Sequence, residues 1–140
     1  MIRPLTEEEK TALLKRQRLG RLACIVGGSP YVVPINYVFE GTSIYSHSLL
    51  GTKIDGLRIN PAACVQVDEI ADDFHWASVM AIGDYEEITN AKEREAALDM
   101  LLVRLPHLTP VESFHRNQTA EPSTLVFRIR IREIRGVAES

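Results

Sequence analysis

Six runs of β-branched and apolar residues, most of them joined by short connections, restrict this chain to a largely antiparallel sheet. They are Leu19 to Val26, Tyr31 to Phe39, Ser43 to His47, Ala62 to Asp68, Ala77 to Ile88 and Thr124 to Ile134. In the last run Phe127, Ile129 and Ile131 alternate with Arg128, Arg130 and Arg132. A period of two sets one face against a core and the other against water or an anion. Gly27-Gly28-Ser29-Pro30 reads as the turn of a hairpin, and Glu40-Gly41-Thr42 as a second turn.

Helical signals are few. Thr6-Glu7-Glu8-Glu9 fits a capping box and opens a helix from about Glu7 to Arg16, with Leu13 and Leu14 turned inward. Lys53 to Asn60 reads as a short helix with Ile54, Leu57 and Ile59 on or near its buried side, stopped by Pro61. Asn90 caps a third helix with Glu93 at its third position, and Ala97, Leu98, Leu101, Leu102 and Leu105 form its apolar stripe up to Pro106. His115 to Ser123 reads as a loop. A parallel sheet needs many more crossover helices. The expected fold is therefore mainly β (α+β), a six-stranded antiparallel barrel with helices outside it. At 140 residues the expectation is one domain, 1–140, able to build a core without a metal or a disulfide.

Charge narrows the partners. Sixteen Lys and Arg against nineteen Asp and Glu give a net charge of −3, a poor balance for neutralising nucleic-acid phosphates. Ten acids fall between Asp68 and Asp99, while the basic residues gather at Arg3 to Arg21 and Arg128 to Arg135. These segments carry apolar periodicity too, so they read as solvated or mutually complementary faces. No apolar run approaches the roughly 20 residues of a membrane span, and Met1 to Glu9 holds no hydrophobic signal. Cys24 and Cys64 match neither a redox nor a zinc spacing and read as small core residues. A reduced, cytoplasmic protein without membrane or nucleic-acid partners is expected.

Two segments carry chemistry. Val32-Val33-Pro34-Ile35-Asn36-Tyr37-Val38-Phe39 places a proline and an amide inside an apolar strand. Proline marks an edge, a bulge or a kink, and such a break offers backbone and amide groups to a flat heteroaromatic. An edge strand with an outward asparagine fits the same residues equally well. Next, Ile44-Tyr45-Ser46-His47-Ser48 leads through Gly51-Thr52-Lys53 into a helix. A helix start with Gly, Thr and Lys suits a phosphate, although Gly-Thr is also an ordinary cap. Neither a Walker A nor a GxGxxG pattern is present.

The order and spacing of these segments, VVPINYVFEGTSIYSHSLLGTKIDGLRINP, resemble the core of the pyridoxamine-phosphate-oxidase-like FMN-binding split-barrel family. The resemblance is closer to its small flavin-nucleotide-binding branch, which includes nitroimidazole-resistance-type proteins. It extends over Leu19-Gly20-Arg21-Leu22-Ala23, over Asn60-Pro61 with Cys64-Val65-Gln66-Val67-Asp68, over Trp76 to Ile88, and over Val126 to Ile134.

The resemblance implies a six-stranded split barrel that forms a homodimer with FMN in clefts at the subunit interface. Val33, Pro34, Ile35, Asn36 and Tyr37 would line the isoalloxazine and ribityl chain. Ser46, His47, Ser48, Thr52 and Lys53 would lie toward the ribityl and phosphate, and the partner subunit would approach with Trp76 and Ser78. Many relatives carry Arg-Lys where this chain has Thr52-Lys53, which removes one phosphate cation. The ending Arg135-Gly136-Val137-Ala138-Glu139-Ser140 lacks the Arg-Leu-His-type segment of true pyridoxamine phosphate oxidases, which argues against pyridoxal phosphate synthesis.

Beside the flavin, His47 would hydrogen-bond the cofactor or shuttle a proton; packing on a strand is the competing role. His75, His107 and His115 lack any paired metal spacing and are expected at the surface, and no metal site is expected. Trp76 is expected to pack at a dimer interface, with stacking near the flavin as the competing role, and Arg128, Arg130 and Arg132 to form a solvated or inter-subunit face. No residue looks like an activated nucleophile, so a bound flavin would carry any catalysis. The expected function is an oxidoreductase passing electrons from a reduced nicotinamide or other donor to a small acceptor of nitro or quinone type. The alternatives are a flavin-binding or flavin-sensing protein without turnover and, less favoured, a haem-binding split barrel.

Overall fold

The computed structural model describes residues 1–105 and 124–140. Eight strands run β1 (Ile2–Pro4), β2 (Leu19–Val26), β3 (Ser29–Asn36), β4 (Val38–Glu40), β5 (Ser43–Leu49), β6 (Ala62–Asp72), β7 (His75–Glu87) and β8 (Thr124–Glu139). Three helices, α1 (Glu7–Arg16), α2 (Thr52–Ile59) and α3 (Ala91–Arg104), interrupt them. Every pairing is antiparallel, in the order β3-β2-β6-β7-β8-β5-β4, with β1 added on β8.

The two ends of that order are one stretch of chain. β3 pairs with β2, and after Tyr37 the same stretch continues as β4 and pairs with β5. A strand that changes partners closes the sheet on itself and leaves a split where β3 passes β5. This accounts for eight strands where the sequence predicts six. The run Tyr31 to Phe39 is divided at Tyr37, and the N-terminal strand β1 is new. The division does not fall at Pro34, which stays in β3 opposite Arg21. β3 has a single sheet neighbour, β2, so the missing proline N–H costs no ladder bond on its open side.

The first hairpin is tighter than the sequence suggests. Gly27 and Gly28 have φ of 56° and 80°, so two residues alone make the turn. Ser29 and Pro30 then join the strand opposite Val26 and Ile25. β6 and β7 outrun their expected limits and form a long hairpin, and β8 continues to Glu139 alongside β1.

The core fills the barrel. Leu22, Ile35, Ile44, Val65, Val67, Val79, Ala81, Phe127 and Ile129 point inward. Leu13 and Leu14 of α1 and Ile54 and Leu57 of α2 pack into the same cluster. A fully buried side chain of this size contributes about 1.5–3 kcal/mol. α3 covers the outer side of β5 and β8 with Ala97, Leu101 and Leu105 against Val38, Ile88 and Val126.

The α1 capping box forms as expected: Thr6 Oγ1 accepts from the Glu9 N–H at 3.2 Å and Glu9 Oε1 accepts from the Thr6 N–H at 2.9 Å. At α3, Asn90 Oδ1 accepts from the Lys92 and Glu93 N–H groups, but the Glu93 side chain turns away to Arg128. Ile59 is 87% exposed, against expectation, because it lies two residues beyond Leu57 and about 200° around the helix from it. The arginine row keeps its outward alternation and meets carboxylates of this chain: Arg128 and Arg130 pair with Glu86, and Arg132 with Asp84. Pro106, the predicted loop 115–123, His107 and His115 lie outside the described residues.

Candidate functional site

A side-chain bond spans the split between β3 and β5. The Ser46 hydroxyl, 1% exposed, donates to the Asn36 carbonyl at 2.6 Å, and the Tyr37 N–H next to it donates to the Arg18 carbonyl. β3 alternates across its pleat. Val33 and Ile35 face the barrel interior, while Pro34 and Asn36 face outward and are exposed. The Tyr37 ring is buried, with its hydroxyl donating to the Leu14 carbonyl at 2.7 Å, and burial pushes its pKa up. What Tyr37 offers the site is therefore its place in the backbone.

β5 alternates as well. Ser46 and Ser48 lie on the side of Phe127 and Leu125, and Ser48 donates to the Leu49 carbonyl at 2.7 Å. His47 lies on the opposite side, between Tyr45 and Leu49 on the strand and opposite Val126, on the side that α3 covers. Ser46 and His47, neighbours in sequence, thus address different sides of the strand.

α2 begins where β5 ends. Gly51 is its N-cap, with extended backbone and no side-chain cap bond, so the N–H groups of the first turn lack a side-chain acceptor. Thr52 is exposed and Lys53 half-buried. No carboxylate or hydrogen-bond acceptor among the described residues pairs with the Lys53 ammonium. Burial holds its pKa below the usual lysine value, and only the nearby Cys24 thiol works the other way. Burial in turn raises the Cys24 pKa against the pull of Lys53. The helix is seated by Gly56, where a Cβ would meet Val26 Cγ2 at 2.7 Å and the Ile25 carbonyl at 2.8 Å. Only glycine lets α2 lie this close to β2.

Ser46 thus meets the Asn36 end of β3, while Lys53 at the start of α2 lies by Cys24, which is opposite Tyr31 of β3. Trp76 and Ser78 do not join them within one chain. They lie on β7, beyond β2 and β6, which at strand spacing is roughly 14 Å away. Trp76 Nε1 donates to Glu139 at 3.2 Å, and Ser78 Oγ accepts from Gln66 at 3.0 Å. The sequence reading missed the coupling of Cys24 to Lys53 and the close seat of Gly56. Both depend on contacts between elements, which no local pattern carries.

The outer side of the sheet presents a second feature. Register aligns Val32, Ala23, Cys64 and Ile82 in one row and Asn36, Leu19 and Val137 near Ser78 in another. Val32 and Leu19 are 62% and 57% exposed, and Ile70 and Val137 are also open to solvent. Among the described residues no three metal-ligating side chains cluster, and no helix is long and apolar enough to cross a membrane.

Comparison with known proteins places this architecture. A FAD-binding protein from Mesorhizobium loti has a similar solved structure, 33% identical, covering 100% of this chain and 99% of that one with a TM-score of 0.81. A FAD-binding protein from Mycobacterium smegmatis is 21% identical, covering 99% of this chain and 100% of its own, with a TM-score of 0.69. A proposed 5-nitroimidazole antibiotic resistance protein from Bacteroides thetaiotaomicron is 19% identical, covering 99% and 87%, with a TM-score of 0.79. At those last two identities the likeness is one of fold. An uncharacterised protein of Rhizobium meliloti is 38% identical over 87 residues, 62% of this chain and 58% of that curated relative's length. The family profile described as pyridoxamine 5'-phosphate oxidase matches residues 6–138. The fold is the split barrel of that group, and the chain belongs to the pyridoxamine 5'-phosphate oxidase family.

Proposed function

We propose that this protein is a flavoprotein holding FMN at the split between β3 and β5, with its phosphate at the start of α2. The observation that carries this reading is the half-buried Lys53 ammonium, without a partner among the described residues, beside a helix N-terminus that no side chain caps. A desolvated cation is costly unless an anion meets it. The flavin phosphate supplies that charge, and the N–H groups of the first helical turn add partial positive charge. The full-length relative named as FAD-binding supports a flavin. FMN is preferred because Lys53 is the only cation next to this helix start in sequence.

In this reading the outward side chains of Pro34 and Asn36 and the backbone of Val33 and Ile35 wall the ring and ribityl chain, with the Asn36 amide on the exposed side. Ser46 fixes the β3 end, and Thr52 and Lys53 hold the phosphate. His47, expected beside the cofactor, lies on the α3 side of β5 and has no proton-transfer role in this reading. When bound, the flavin supplies electron transfer from a reduced nicotinamide or other donor to a small nitro or quinone acceptor. A second copy would cover the outer rows around Val32 and Leu19 and bring Trp76 and Ser78 toward the site, giving a cytoplasmic homodimer. A flavin-binding protein without turnover is the competing reading.

Protein purified without added cofactor is expected to be yellow and to release FMN on denaturation, identified by chromatography. Release of FAD instead would keep the flavin site and correct the nucleotide. A colourless protein that ignores both flavins in titration overturns the reading. Anaerobic bleaching by NADH or NADPH, followed by reoxidation with a nitroaromatic, separates an enzyme from a binder.

A further inference from the structure

A second concavity lies under the N-terminal half of α3, with a volume of about 240 Å³ and none of the residues assigned above in its lining. Tyr45, Ile88, Ala96, Ala97 and Met100 supply an apolar body, and Glu93 and Arg128 supply charge. The space exists because α3 presents two alanines there. Arg128 is mostly buried, with its side chain 18% exposed. Its Nε and Nη2 are taken by Glu86, which also accepts from Arg130. Its Nη1 meets the Glu93 carboxylate at 3.5 Å, the limit of a hydrogen bond, and the Tyr45 hydroxyl also stands beside the guanidinium. Glu93 is 56% exposed and is not held by the capping box that its position allows. A loosely placed carboxylate thus stands at one corner of a buried guanidinium above an apolar pocket.

We propose that this pocket binds a small monocarboxylate with an apolar body, whose carboxylate displaces Glu93 from Arg128. A guanidinium recognises a carboxylate through directed N–H donors, which an ammonium cannot match. The pocket walls provide the apolar burial that a free acetate would not use. Glu93 acts as an internal competitor: it covers the Nη1 corner of Arg128 in the empty pocket and moves to solvent when a ligand enters, while Glu86 keeps its pairing with Nε and Nη2. The inference does not rest on the flavin reading.

The test uses the purified protein with benzoate as probe and benzamide as its uncharged counterpart, read by methyl NMR of labelled methionine. Met1, Met80 and Met100 are the only methionines, and of these Met100 alone lines the pocket. Benzoate should shift the Met100 signal in a saturable way and leave Met80 in place. Glu93→Gln, at a half-exposed position, should tighten benzoate about ten-fold, while Ala96→Trp, which fills the space from an exposed helix position, should abolish the shift. Benzamide should bind at least ten-fold more weakly than benzoate. Equal binding of the two probes, weaker benzoate binding in Glu93→Gln, or a shift at Met80 instead of Met100 overturns the proposal. Flavin content measured on the same samples reports separately on the other site.

Discussion

The buried Ser46 hydroxyl donates a 2.6 Å hydrogen bond to the Asn36 carbonyl and thereby ties β5 to the last residue of β3. These strands are not ladder neighbours, so the bond stands where the barrel is split. Ser46→Ala leaves the Asn36 carbonyl without this donor and should cost about 1–2 kcal/mol in chemical denaturation. Flavin affinity should fall with it, because the wall containing Pro34 and Asn36 loosens. Unchanged stability and affinity would show that the ladder of β3 with β2 positions this wall alone.

Lys53→Met should separate stability from binding. Removing a half-buried ammonium leaves the flavin-free protein as stable or more stable, while flavin affinity drops at least ten-fold. Lys92→Ala, at an exposed helix position, should leave the affinity unchanged. Equal loss in the two variants takes Lys53 out of the phosphate site.

The same lysine sets a pH dependence. Its folded pKa lies below the unfolded value of 10.5, so the unfolded chain binds more protons between the two. Stability of the flavin-free protein should therefore rise with pH across that window relative to Lys53→Met, in which this contribution is gone. Thermal melts of both proteins at a series of alkaline pH values read the difference. A falling difference contradicts the burial of the ammonium.

Gly56→Ala places a methyl group against the Ile25 carbonyl and Val26. The main chain on the β2 side cannot yield as a flexible side chain would, so α2 must lift. The cost should be about 1–3 kcal/mol, with loss of flavin binding as Lys53 moves away from the split. A crystal structure of the variant with α2 unmoved would contradict this.

Acid should release the carboxylate pairs in order. Arg130 and Arg128, in that order, hold the Glu86 carboxyl below its ordinary value of 4.5. That contribution is present above the unfolded pKa and is lost as pH falls through the lowered folded value. Glu9, held down to about 2 by Arg3 and the Thr6 N–H, is among the last to protonate. Glu86→Gln should cost about 0.5–1 kcal/mol at neutral pH, solvent screening at this half-exposed group keeping it small. Glu133→Gln, on an exposed pair, should cost less.

Val32→Asp tests the proposed second copy. It puts a charge on the outer apolar row and should convert a dimer into a monomer in sedimentation with little loss of monomer stability. If the flavin leaves at the same time, the site is shared between copies.

Much of this molecule could be read from local pattern. The period-two runs placed the strands, the Thr6 box placed α1, and Asn90 marked the start of α3. These features depend on residues within a turn of one another. Local pattern misjudged Tyr31 to Phe39, because nothing nearby says that a strand will change partners at Tyr37. It also placed Ile59 inward, where helix geometry over so short a segment turns it to solvent. The order along the chain that groups the candidate residues also brings Asn36 and Ser46 together at the split.

Their division of labour came from the tertiary structure. The pleat sends Ser46 and His47 to opposite sides of β5, and barrel closure gives the Ser46 hydroxyl to Asn36. Packing of α2 on β2 buries Lys53 beside Cys24, and the turn of Glu93 away from its own helix brings its carboxylate to Arg128. The sequence by itself determined which segments pair with period two, which are helical and which polar groups interrupt them, because hydrogen-bonding and burial requirements act over a few residues. Which of those groups meet, and which lysine is half-buried at a helix start, was decided only when distant segments packed, since burial and charge pairing belong to the assembled barrel.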